Sequence, residues 1–193
     1  AMLTSCLINN QNINNYLDYN HAHQKNIRKV FNKFTETKLS KKNFSLDGCS
    51  APQYSFKIKS ISKALNNLIK SYKDCYDYSE EVKTLINSVL ENPEFIGGSA
   101  SFDTKVMKAS KGQIFCKSGA EGVFLFIDIQ KEISGVVKIT DGNERAIPIS
   151  IINIFKKLKV MSKIKLKNLE KKEKFELQNH AGRNIGRISI KMK

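Results

Sequence analysis

Apolar residues follow two different periods along this chain, and the change falls near its middle. Residues 2–8 read as the end of an apolar helix. Tyr16-Leu-Asp-Tyr-Asn-His21 reads as a turn, with Asp18 or Asn20 placed to cap the next helix. From His21 to Phe34 the apolar residues Ile27, Val30, Phe31 and Phe34 recur at helical spacing. Leu39 to Asn43 is a polar linker, and Phe44-Ser-Leu46 is a short extended stretch entering Asp47-Gly-Cys-Ser-Ala-Pro52. Ile61, Leu65, Leu68, Ile69 and Tyr72 give a second amphipathic helix over 60–73. Ser79 opens a third, which Asn92-Pro93 stops near Glu91 because the residue before proline avoids the helical region.

Beyond Gly97-Gly98 the period shortens. Gln113 to Lys117, Gly122 to Ile129 and Val136 to Thr140 are β-branched and aromatic runs, separated by turn segments at Asp128 to Gly135 and Asp141-Gly142. Together they predict an antiparallel meander. Ile147 to Lys159 returns to helical spacing, starting near Pro148. A Gly182-Arg-Asn-Ile-Gly186 turn and the stretch from Arg187 to Met192 predict a closing hairpin. No internal repeat is visible. Helices, then strands, then a helix indicate an α+β fold, an antiparallel sheet packed with helices, with 1–193 read as one domain.

Composition narrows this picture. At 193 residues and 40% hydrophobic, the chain is long enough to bury a core and too apolar for a disordered polyelectrolyte. No apolar run approaches the ~20 residues of a membrane helix. The apolar start is broken by Asn9 to Asn15, with no small-residue cleavage site, so a cytoplasmic location is expected. Ala1 ahead of Met2 reads as a tag remnant.

The net charge of +15 invites a nucleic-acid reading. However, it is carried almost wholly by lysine, with only Arg28, Arg145, Arg183 and Arg187, whereas phosphate readers favour arginine's bidentate fork. The 18 Asn and 22 Ile rise alongside lysine, as they do under A+T-rich coding, so compositional drift accounts for most of the charge. Nine lysines between positions 156 and 174 face only Glu170 and Glu173.

Several motifs bear on chemistry. Lys117-Ser-Gly119 stands where a strand meets a glycine turn, a place where a lysine amine serves a hydroxyl nucleophile and the serine grips a carboxylate. Cys49 reads as a metal ligand, a nucleophile or a small buried residue. Structural zinc takes about four Cys or His ligands in close pairs, and no two of Cys6, Cys49, Cys75 and Cys116 are close, while His21-Ala-His23 has no cysteine beside it. The other three cysteines read as buried or incidental thiols. Ser60-Ile-Ser-Lys63 and Ser162-Lys-Ile-Lys165 match S-x-x-K, but among 29 lysines such matches arise by chance, and both read as solvated polar faces.

Taken in order, a set of blocks resembles the bacterial L-asparaginase II family of the thermolabile rhizobial type, itself similar to serine β-lactamases and glutaminases. The blocks are Tyr16-Leu-Asp with His21 and Gln24; Asp47-Gly-Cys-Ser-Ala-Pro52; Gly97-Gly-Ser-Ala-Ser-Phe-Asp-Thr104 with Met107; Cys116-Lys-Ser-Gly-Ala-Glu-Gly122; Val137-Lys-Ile-Thr-Asp-Gly142 with Arg145-Ala146; and Gly182-Arg-Asn-Ile-Gly-Arg187. They cover nearly the whole chain.

The resemblance implies hydrolysis of L-asparagine to aspartate and ammonia through an acyl-enzyme. It makes Lys117 the amine paired with a nucleophilic serine and puts Ser118 beside it in the catalytic set. Gly119 and Glu121 then lie at the substrate edge, Asp47 hydrogen-bonds the amino-acid substrate, and Cys49 is one ligand of a zinc ion. It also implies that the serine nucleophile and a Cys-Ser-Gly-Lys-His stretch supplying further zinc ligands precede the matched segment. The expectation is therefore the C-terminal portion of such an enzyme, inactive alone, binding no zinc by itself, and completed by an N-terminal complement or a homodimer. The alternative reading is a non-catalytic interaction protein on the same scaffold, with its basic face turned to nucleic acid or another anionic partner.

Overall fold

Three small antiparallel sheets and eight α-helices make up residues 1–191, which are the residues described in the computed structural model. This is the α+β arrangement expected. The chain divides into two compact units, Ala1–Leu68 and Ile69–Lys193, and the division falls within one helix. No described helix is long and apolar enough to cross a membrane.

The first unit contains α1 (Met2–Ile8), α2 (Ala22–Thr35), a hairpin of β1 (Phe44–Leu46) and β2 (Pro52–Tyr54), and the start of α3 (Ile58–Tyr72). The cap of α2 is neither Asp18 nor Asn20 but His21, whose ring nitrogen accepts the His23 amide at 3.1 Å. The buried face of α2 also departs from the apolar stripe. His23, Gln24, Arg28 and Phe34 are buried, whereas Val30 and Phe31 are exposed. Gln24 is held by the Tyr16 carbonyl at 2.9 Å, and Arg28 lies 3.8 Å over the Tyr19 ring while donating to the Tyr54 hydroxyl at 3.2 Å. Arg28 tolerates burial because it is partnered, whereas Gln24 is satisfied at its amide nitrogen and its buried Oε1 has no hydrogen bond among the described residues.

The hairpin is fastened by aromatic contacts. Tyr19 meets Phe44 edge-on at 5.2 Å, and Phe31 packs on Tyr54 and Phe56. β2 is not evident in the sequence because Pro52-Gln-Tyr is too short to show alternation. Neither half of Ser60/Lys63 serves the other: the Ser60 hydroxyl accepts from Thr37 at 2.9 Å and Lys63 pairs with Glu36.

The second unit holds the end of α3, then α4 (Ser79–Glu91), α5 (Glu94–Gly97) and α6 (Phe102–Ser110). Next comes a three-stranded sheet of β3 (Ile114–Gly119), β4 (Val123–Asp128) and β5 (Ile133–Lys138), in that order. It ends with α7 (Ile147–Leu158), α8 (Lys163–Lys171) and the hairpin β6 (Glu176–Gln178) and β7 (Asn184–Arg187). The meander is present as predicted, but β5 begins three residues early. Gly135 pairs with Phe126, and a Cβ there would stand 2.5 Å from the Phe126 ring, so the glycine makes room for a core aromatic rather than a turn.

The core is built from Val106 and Met107 of α6, Ile114, Cys116, Phe124 and Phe126 of the sheet, and Ile151, Ile152 and Phe155 of α7. Phe126 meets Phe155 edge-on at 5.0 Å. α6 and α8 were not foreseen as helices. The closing hairpin exists upstream of its predicted place, with Arg187 ending β7, and Met192 lies outside the described residues.

Candidate active site

Lys117 and Ser118 sit at the end of β3, reached through a strand whose alternate residues Ile114 and Cys116 are buried. Behind them lies α6. Its cap is Ser101, whose hydroxyl accepts the Thr104 amide at 3.4 Å and donates to the Asp103 carboxylate. Asp103 is fully buried. Its Oδ1 also accepts the Thr104 amide at 2.9 Å, and its Oδ2 accepts the Ser118 amide at 3.0 Å. That same Oδ2 lies 4.0 Å from the Lys117 Nζ, which donates to the Ser118 carbonyl. One buried carboxylate thus ties the backbone of Ser118 and the amine of Lys117 to a helix N-terminus.

Electrostatics agree with this geometry. Burial alone pushes the Asp103 carboxyl up, but the Ser101 hydroxyl, the Ser118 and Thr104 amides and Lys117 outweigh it and hold the group below the ordinary carboxylate value. Burial pushes the Cys116 thiol well up, reinforced by Asp103, so it stays a neutral thiol and donates to the Asp103 carbonyl at 3.4 Å. Gly97 completes the cradle. A Cβ there would fall 2.4 Å from Asp103 Oδ1 and 2.5 Å from the Ser101 hydroxyl, so only glycine admits the network.

Gly119 pairs with Val123 at the sheet's edge and leads into the turn carrying Glu121, exposed and in the left-handed region at φ 57°. The turn leans on the one that comes after β5. Lys138 donates to the Glu121 carbonyl at 2.7 Å, and the Ile139 amide donates to the Gly122 carbonyl at 2.8 Å. A Cβ on Gly122 would meet that of Ile139 at 2.8 Å. Three of the matched blocks, those of Gly97, Cys116 and Val137, therefore converge around one strand end.

Asp47 and Cys49 belong to the first unit, on the β1–β2 loop. Asp47 Oδ1 accepts the Cys49 amide at 2.8 Å and the Ala51 amide at 2.9 Å, and Oδ2 accepts the Gln53 side chain at 3.0 Å. The Ala51 and Cys49 amides hold its carboxyl below the ordinary value. Asp47 is exposed, and its visible work is to organise the loop that presents the exposed Cys49 thiol. The donor set for zinc is incomplete: among the described residues no three His, Cys, Asp or Glu side chains converge. Cys6 and Cys116 are buried, whereas Cys75 is exposed.

Sequence reasoning identified Lys117 but not Asp103, Ser101 or Gly97 as its support. The available signal was Ser101 three residues ahead of Thr104, with an acid in the first turn, which marks a helix start. A search of curated proteins returns no match. The L-asparaginase II family model, by contrast, matches residues 1–190, nearly the whole chain and all of the blocks packed around Lys117. The chain belongs to the L-asparaginase II family, whose activity is of the asparaginase type.

Proposed function

We propose that this chain supplies the lysine-bearing side of an amidohydrolase site that converts L-asparagine to L-aspartate and ammonia. The observation that carries the reading is the Ser101–Asp103–Lys117 network, set at the end of β3 in a chain of the asparaginase family. Lys117, on the exposed side of this network, receives the proton of a serine hydroxyl as that oxygen attacks the substrate carboxamide. Lys117 then returns that proton to the amide nitrogen, the tetrahedral intermediate expels ammonia, and water hydrolyses the acyl-enzyme that remains. Ser118, Gly119 and Glu121 border the substrate.

Among the described residues of the second unit, no serine hydroxyl hydrogen-bonds the Lys117 amine. In this reading the nucleophile comes from a complementing segment or a second copy, and the chain alone is expected to be inactive. Leu7 and Ile8 of α1 are exposed apolar surface that such a partner would cover. Zinc would be held at Cys49 only once a partner completes the ligands there, and it would supply a fixed positive charge to that loop. Removing one member of a nucleophile unit removes most of the rate. An ammonia-release assay with L-asparagine tests the proposal: background release by the isolated chain is expected, and sustained turnover would contradict it.

A further inference from the structure

The lysine-rich segment that looked like compositional drift is gathered by the fold around a cavity. A space of about 990 Å³ opens between α7, α8 and the turn joining β4 to β5. Its walls carry Lys131, Lys156, Lys159, Lys163, Lys165 and Lys167, against a single acid, Glu170. The floor is apolar, made by Val160, Met161 and Leu166. Drift scatters lysines along a chain, but it does not explain why Lys131, remote in sequence, turns into the same cavity.

Local structure holds these groups in place. The buried Asp128 accepts the Lys131 amide at 3.1 Å and the Gln113 side chain at 2.8 Å, and the Lys131 amine donates to the Lys159 carbonyl. Lys159 ends α7 in the left-handed region. Glu170 is engaged by Lys156 at 3.0 Å. Among the described residues Lys159, Lys163, Lys165 and Lys167 have no carboxylate within ion-pair distance.

Their positions oppose helix stability. Ser162 caps α8, and the first turn then holds Lys163 and Lys165 with no acid at all. Positive side chains there repel the positive end of the helix, and Lys163 and Lys167 repel each other one turn apart. An anion in the cavity reverses both effects, since the first-turn amides and the lysines then point at negative charge.

From the lysine walls, the apolar floor and the volume, we infer that this cavity binds a small multiply charged phosphate compound of nucleoside-triphosphate size. The cavity falls at the upper end of the size range of small-ligand sites. The phosphates lie along the lysines, and the planar apolar part rests on Val160, Met161 and Leu166. This site is separate from Lys117 and does not depend on the hydrolytic reading.

Titration calorimetry with ATP and with tripolyphosphate at ~50 mM salt tests it. Both should bind, with ATP at least threefold tighter because of the apolar floor. K163E/K167E should weaken ATP at least tenfold while raising the melting temperature, since an acid at position 163 favours the helix N-terminus and the repulsion between 163 and 167 is unchanged in size. K57E/K59E, at exposed lysines of the first unit, carries the same charge change and should alter affinity less than twofold. The proposal is overturned if ATP gives no saturable binding at millimolar concentration or if both double variants weaken it equally. It is also overturned if K163E/K167E abolishes binding of a 20-base-pair duplex while ATP fails to displace that duplex from the unaltered chain.

Discussion

Replacing Asp103 by asparagine is the sharpest perturbation of the candidate site, because the side chain is fully buried and each oxygen has assigned work. Oδ1 accepts from Ser101 and the Thr104 amide, and Oδ2 accepts the Ser118 amide. Asparagine keeps one acceptor and replaces the other with an NH2 group. If the oxygen faces α6, the Ser118 amide loses its partner; if the side chain flips, the Thr104 amide keeps only its long 3.4 Å bond to the Ser101 hydroxyl. Either orientation leaves one donor unsatisfied or weakly bonded and removes the charge from the remaining bonds. Such a loss is about 1–3 kcal/mol for the orphaned donor, so with the weakened bonds D103N should lower stability by about 2–4 kcal/mol.

The sign of the pH dependence comes from the depressed pKa. The stabilisation is present above the ordinary aspartate value of 3.8 and is lost as pH falls through the lower value in the folded chain. Urea unfolding of both proteins, extrapolated to water at pH 7 and again at acid pH, measures the difference. A gap below about 0.5 kcal/mol at pH 7, or one that stays constant as the carboxyl protonates, would refute the assigned network.

Other perturbations have equally definite outcomes. G97A drives a methyl into Asp103 and Ser101 and should cost about 1–3 kcal/mol of stability by urea unfolding, as over-packed sites do. R28A removes the cation over Tyr19 and the Tyr54 bond, so amide exchange across β1 and β2 should accelerate more than exchange in β3 to β5. Iodoacetamide should modify Cys49 and Cys75 in the native chain, and Cys6 and Cys116 only after unfolding, as mass spectrometry of labelled peptides will show.

Elements were legible in the sequence to the extent that their buried faces are apolar. α4 and α7 carry apolar stripes and clear ends, and the meander carries β-branched runs, so period alone located them. α6 buries Asp103, Thr104 and Ser110 beside Val106 and Met107, and a polar buried face dilutes the apolar repeat that marks a helix. α2 misled in the opposite sense. Its apolar stripe is half exposed, Gln24 is held by Tyr16 in the turn before the helix, and Arg28 is held by Tyr54 of β2.

The candidate site shows the same division. Lys117 was visible through its glycine turn. Asp103 was not, because its importance arises from a strand brought against a helix N-terminus, and the 15 residues separating it from Ser118 hide that pairing. The lysines of 156–174 counted correctly as charge, but only packing showed that five of them share a cavity with Lys131.

If the end of β3 is the substrate-facing side of an asparaginase-type site, L-asparagine must perturb it even where no turnover occurs. Titrating the 15N-labelled chain with L-asparagine, while following ammonia in the same sample, reads both properties at once. Saturable amide shifts are expected at Ser118, Gly119 and Glu121, at ~millimolar affinity and without ammonia release. Shifts that leave those three amides unmoved while other parts of the chain respond would contradict this assignment, as would ammonia released at an enzymatic rate.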